Sequence, residues 1–158
     1  MEGKYVIVEI IPEAISPEKG NLVQISALKI EDLKLVDRFD YRICEEKIHN
    51  QDIKDLVSYD KESFTYLNST NELLAEFEKW CSDFPILILD NLYTNKFLAS
   101  IPNDKKSIAS LFKMDYNDDL IEQIIKKYKL EPSNYIVDLL YEALIYESNY
   151  FSSKYVNN

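Results

Sequence analysis

The sequence predicts a mixed α/β fold: a five-stranded mixed sheet, its first three strands antiparallel and its fourth parallel beside the first, with helices on both faces. Three observations lead there. Residues 4–11 (KYVIVEII) are rich in β-branched side chains and interrupted by one acid, as a strand buried on both faces requires. Residues 22–30 (LVQISALKI) alternate imperfectly and 33–43 (LKLVDRFDYRI) alternate apolar with polar, and the two read as strands of a meander. A capped helical segment then precedes FPILIL at 84–89, and a strand reached through a helix runs parallel to its neighbour.

The elements follow in order. SPEKGN at 16–21 supplies Pro and Gly for the turn after the first strand, and EDL at 31–33 turns the second strand into the third. A short helix is expected at 51–59. Ser69 and Glu72 form a capping box ahead of Leu73, Leu74, Phe77 and Trp80, which recur at helical spacing. From Asn117 the acids Asp118 and Asp119 lead a helix carrying Leu120, Ile121, Ile124, Ile125 and Tyr128 on one face. Lys126, Lys127 and Lys129 end it, the order that the helix dipole favours, so this charge run reads as a solvated helix end. A last helix is expected over 134–151. Trp80, Phe77, Leu74, Ile86, Ile88, Ile124 and Leu140 are the expected core.

Composition narrows function. The chain has 158 residues, 46% hydrophobic and 13% aromatic, which suits one folded domain and excludes a disordered or collagen-like chain. Its net charge is −10, so it repels phosphate except where cations cluster, and strong autonomous binding to duplex DNA is not expected. Only two glycines occur, Gly3 and Gly20, and both are isolated, so the glycine-rich loops of dinucleotide and nucleoside-triphosphate sites are missing. Cys44 and Cys81 lie too far apart in sequence for a metal-binding pair and read as reduced thiols. With no long apolar run and a strand-like start, the chain reads as cytoplasmic and not membrane-bound.

The order of elements, and the wording of several segments, resembles the DEDD (DnaQ-like) family of 3′–5′ exonucleases, of the proofreading-subunit type within the ribonuclease H-like fold. VIVEIIPEAISPEKGNLVQISALKIEDLKLVDRFDYRI is similar to that family's opening strand, acidic motif, S-P-x-x-G turn and next two strands. LVSYDKESFTYLNSTNELLAEFEKW is similar to its G-I-T segment and following helix, LDNLYTNKFL to its second acidic motif, and LIEQIIKKYKLEPSNYIVDLLYEAL to its closing helix pair. The resemblance spans nearly the whole chain and implies a single exonuclease-like domain over 1–152 with a C-terminal tail at 153–158, in a bacterial protein.

What the resemblance implies for chemistry is loss. The family needs four carboxylates because two divalent ions about 3.5–4 Å apart hold the scissile phosphate, and such hard cations take oxygen ligands. Its first motif, D-x-E, falls here on Glu9 and Ile11, so the second acid has become apolar. The second acidic position falls on Asn95, the last on Leu140 or Tyr141, and the family's His on Tyr135 or Ile136. His49, the only histidine, lies far from that helix and reads as a surface or capping residue. The Tyr-type variant wants Tyr and Asp four apart, whereas Tyr135 and Asp138 are three apart, an error of about 100° around a helix. Ala14 and Ser58 stand where the family has small residues for close substrate approach.

The leading expectation is therefore a domain with no catalytic residues, a pseudoenzyme retained as a binding or scaffolding module in nucleic-acid metabolism. Tyr59 and Tyr93 are its candidates for stacking a base, and the 3′ end of a single strand or a protein is the expected partner. No cofactor is expected. The alternative is a metal-dependent 3′–5′ exonuclease on single-stranded DNA or RNA, using Mg²⁺ or Mn²⁺ at a displaced cluster of Glu9, Asp90 and Asp138. A third reading is an acidic protein-interaction domain that binds no nucleic acid.

Overall fold

Strand β1 (Lys4–Pro12) is the hub of a six-stranded sheet in the order β4–β3–β2–β1–β5–β6, formed with β2 (Leu22–Glu31), β3 (Lys34–Ile43), β4 (Thr65–Leu67), β5 (Ile86–Ile88) and β6 (Lys105–Ser107). The computed structural model describes residues 3–156, with side chains described to residue 148. β1 pairs antiparallel with β2 and parallel with β5, as the sequence predicts. The sheet exceeds the five expected strands because β4 and β6 are three-residue parallel edge strands, too short to leave a periodicity.

Period-two alternation divides the core. Val6, Val8 and Ile10 face α2 (Thr70–Cys81) and pack with Leu73 and Phe77, whereas Tyr5 and Ile7 face α5 (Leu120–Tyr128) and α6 (Ile136–Val156) and pack with Ile124 and Leu140. Of the expected core, Phe77, Ile86, Ile88, Ile124 and Leu140 are buried, while Leu74 and Trp80 are half-buried. On α2 the inward stripe runs through Leu73, Phe77 and Cys81, a step round from Leu74. The Trp80 indole lies beside it at the sheet margin, where its N–H reaches Asp37 at 2.9 Å.

Local chemistry sets the boundaries. Ser69 Oγ accepts from Glu72 N at 3.1 Å, and the Glu72 carboxylate accepts from Asn68 N at 2.9 Å, so the capping box closes α2 as expected but reaches one residue further back. Asp32 and Leu33 have φ of 49° and 66°, the left-handed pair that a two-residue hairpin turn of matching twist requires. Gly20 is needed for close approach: a Cβ there would meet Ala14 Cβ at 2.7 Å. Its loop closes by Glu13 N donating to Asn21 O at 2.9 Å. Three shorter helices, α1 (Gln51–Leu56), α3 (Leu92–Phe97) and α4 (Ile108–Leu111), complete the fold. Helix α6 continues through Val156, beyond the position 153 at which a tail was expected to begin; residues 157–158 of that tail lie outside the described residues.

The register fixes an expectation for adjacent residues. Ile10 is 3% exposed among the side chains facing α2, whereas Ile11, turned away by the alternation at the end of the strand, is only half-buried and packs at the margin of that core. Ile10→Glu therefore buries an unpaired carboxylate and should destabilise the protein by about 3 kcal/mol or more, and Ile11→Glu by about 1 kcal/mol or less, in urea denaturation at neutral pH. Equal losses would contradict this register.

Candidate functional site

The face of the sheet that carries Tyr5 and Ile7 changes character along its length. Directly opposed residues share a face, so the register Glu9–Ser26–Asp40 and the neighbouring Ile11–Gln24–Arg42 lay two cross-strand rows on the side of α6. Tyr5, Ile7, Leu28 and Ile30 make one half of that face apolar, and these two rows make the other half polar. Beyond the polar half, between the end of β1, α1 and the residues leading into α6, lies a cleft of about 630 Å³.

Glu9, Tyr59 and Tyr93 all line this cleft, so the structure brings three of the five predicted site residues together. Most of the remaining wall is apolar, including Ile11, Ile53 and Ile136, and no Lys, Arg or His is among the lining side chains. Glu9 is 8% exposed, and no hydrogen bond or ion pair to its carboxyl exists among the described residues. Burial pushes its pKa up from 4.5 to about 8. Tyr93 is half-buried, and its phenol is raised first by burial and then by the nearby Tyr116 and Glu9.

The second acid in the cleft behaves differently. Burial works against ionised Glu13, yet its pKa falls below the usual range because its carboxylate accepts from the backbone N–H groups of Asn50 at 2.9 Å and His49 at 2.8 Å. The side-chain amide of Asn21 adds a third bond at 2.8 Å. Glu13 thus ties the loop after β1 to the start of α1. His49 is exposed and contributes its backbone there, consistent with a surface residue.

The other two candidate acids lie elsewhere. Asp90 is exposed and accepts from the side-chain amide of Asn95 at 2.9 Å, so the two positions expected near the second acidic motif bond to each other. Asp138 accepts from Arg38 at 2.7 Å in a separate depression lined also by Asp40, Asp60 and Tyr135. No group of three or more His, Cys, Asp and Glu side chains able to hold a metal ion occurs among the described residues. Leu140 is fully buried, and Tyr141 donates to Leu33 O at 2.7 Å.

Sequence reasoning missed the polar layer beneath the cleft. Arg42 is 1% exposed, with its guanidinium carbon 3.5 Å from the Phe64 ring centroid and 4.8 Å from that of Tyr59. Its Nε donates to Gln24 at 2.6 Å, and Gln24 in turn donates to Tyr59 Oη at 2.8 Å. The two terminal nitrogens of Arg42 have no hydrogen-bond partner among the described residues. Tyr135 donates to Asp60 and packs against Tyr59 and Phe64, so the wall bearing Tyr59 is fixed to the start of α6. A signal was present in RFDYRI at 38–43: both arginines of the chain, with Asp40 between them, stand at alternate positions of one strand and so face one way.

Among solved structures, this architecture matches exonuclease I repeatedly. Its product-bound form superposes with a TM-score of 0.59 at 12% identity, over 94% of this chain and 43% of that one. The zinc-bound form of the E. coli exonuclease I–ssDNA complex gives a TM-score of 0.60 at 10% identity, over 94% and 41%. An ExoI/SSB-Ct complex gives 0.58 at 10% identity, over 90% and 40%. The chain shares its fold with exonuclease I. This chain spans less than half the length of those structures, and at these identities the likeness is one of fold. Neither a protein-family model nor a curated protein matches the sequence.

The Glu9 environment has a consequence for stability. Because the folded-state pKa lies above the ordinary value, the native state binds the extra proton between pH 4.5 and about 8, and stability falls as pH rises through that window. Glu9→Gln removes this loss. Its stability difference from the wild type should be small below pH 5 and grow to several kcal/mol in favour of the variant by about pH 9, read from paired denaturation curves across pH. A flat difference would show that Glu9 is solvated.

Proposed function

We propose that this chain is a non-hydrolytic binding module built on the exonuclease fold, which holds the end of a single-stranded nucleic acid in the cleft beside Glu9. The observation that carries this reading is the solitary carboxyl. Two-metal hydrolysis needs oxygen ligands from several acids around a shared pair of ions. Here Ile11 occupies the same strand face as Glu9, Asp90 bonds to Asn95, and Asp138 is held by Arg38. That donor set does not suit two hard cations. Tyr59 and Tyr93 in the same cleft supply aromatic surface on which a base stacks, a contact worth about 1–3 kcal/mol per base. With a net charge of −10 and no cation in the cleft wall, affinity rests on base contacts and remains modest at physiological salt.

A protein partner is the second reading. It draws support from Ile15 and Leu56, which line the cleft and are 49% and 57% exposed.

The test uses 5′-labelled single-stranded DNA and RNA. The expected result is saturable binding in EDTA and no shortening from the 3′ end in Mg²⁺ or Mn²⁺. Dose-dependent 3′ trimming that disappears in Glu9→Ala would overturn the proposal in favour of a displaced metal cluster. Absence of binding to either strand would leave the protein-partner reading.

A further inference from the structure

The cleft combines features that together select a ligand class. It holds one largely buried carboxyl that opens on the cleft and has no hydrogen-bond partner among the described residues, a wall of mainly apolar side chains, and two tyrosines. Its other acid, Glu13, is already bonded to two backbone amides and one side-chain amide. A phosphate entering here meets no cation, and a divalent ion meets one available carboxyl. A neutral planar ligand with polar atoms confined to one edge fits both the apolar wall and the unpartnered acid, and a volume of about 630 Å³ is typical of small-ligand pockets.

We propose that Glu9 meets the hydrogen-bonding edge of a single unpaired nucleobase, seated in this cleft beside Tyr59 and Tyr93, with the sugar–phosphate outside. The inference rests on the nucleic-acid reading above and adds what the site recognises: the base, in place of a metal-bound phosphate. A buried polar group without a partner costs about 1–3 kcal/mol, so a ligand edge that supplies the missing hydrogen bonds gains affinity that an apolar ligand does not. Burial favours the protonated form of the Glu9 carboxyl, which then offers a hydroxyl donor beside a carbonyl acceptor. Adenine, cytosine, guanine and thymine each present a neighbouring donor and acceptor along the Watson–Crick edge. The site therefore accepts any of the four, and it rejects an end that lacks a base.

The experiment measures fluorescence anisotropy of 5′-labelled DNA decamers that differ only in the 3′ residue (A, C, G, T or an abasic sugar), in EDTA at pH 6.5. Free nucleosides are titrated in parallel and followed by protein NMR shifts. Wild-type protein should bind the four base-ended strands within about threefold of one another and the abasic end at least tenfold more weakly. Glu9→Leu, which removes a buried acid and so should fold well, should weaken base-ended strands at least tenfold. Glu9→Gln, which keeps a donor and an acceptor, should lose no more than about threefold. Binding unaffected by Glu9→Leu or by the abasic end would overturn the base-reading role while leaving the nucleic-acid reading intact. Nucleoside binding with this Glu9 pattern but no decamer binding would do the reverse. Binding that requires Mn²⁺ and fails equally in Glu9→Gln and Glu9→Leu would assign Glu9 to a metal and overturn the inference.

Discussion

Strand β1 is paired with β2 along its length and with β5 over Val6 and Ile7, and it is covered on both faces; the remaining features of the molecule follow from that confinement. Its antiparallel partner β2 and parallel partner β5 fix its register, so alternate side chains have no freedom to exchange faces. Val6, Val8 and Ile10 are committed to the α2 side, and Tyr5, Ile7 and Glu9 to the α6 side, while Ile11 at the strand's end is half-buried at the margin of the α2-side core. A carboxyl at position 9 is thus held largely buried, at the wall of the cleft. Apolar Ile11 beside it, where the resemblance to the DEDD exonucleases would place a second acid, leaves that carboxyl alone.

The neighbouring polar layer keeps the cleft in shape. Arg42 is enclosed by Phe64 and Tyr59 and bonded to Gln24, which also holds the Tyr59 hydroxyl. A desolvated guanidinium over an aromatic face is worth about 2 kcal/mol or more, which helps to offset the cost of burying its charge. Tyr135 extends the cluster to Asp60, and Arg38 bridges to Asp138 on α6. One acid that the sequence offered for metal binding is therefore used to anchor a helix. The same contacts tie the Tyr59 wall of the cleft to the sheet, so a ligand would meet a preformed surface.

The sequence made the fold legible wherever a local pattern was strong. The β-branched run of β1, the capping box at Ser69 and the lysines closing α5 each report a local rule that tertiary structure did not override. β4 and β6 were not legible because three residues carry no period, and their pairing depends on strands distant in sequence. Within the candidate site, Glu9, Tyr59 and Tyr93 were found individually, through the resemblance and through residue type. Their meeting in one cleft depends on the loop after β1 being tied to α1 by Glu13, a contact between residues 36 and 37 apart that leaves no local mark. Asp90 and Asp138 met the chemical requirement for metal ligands, but one faces solvent and the other a guanidinium. Side-chain type identifies what a residue is able to do, and register decides what surrounds it.

The central claim is that Glu9 is a largely buried carboxyl without a protein partner and not a member of a metal site. The most direct measurement is a carbon-13 NMR titration of its side-chain carboxyl, with and without excess Mg²⁺. The account predicts a midpoint near pH 8 that the ion does not move. A midpoint in the ordinary glutamate range, or one drawn down by Mg²⁺, would contradict it.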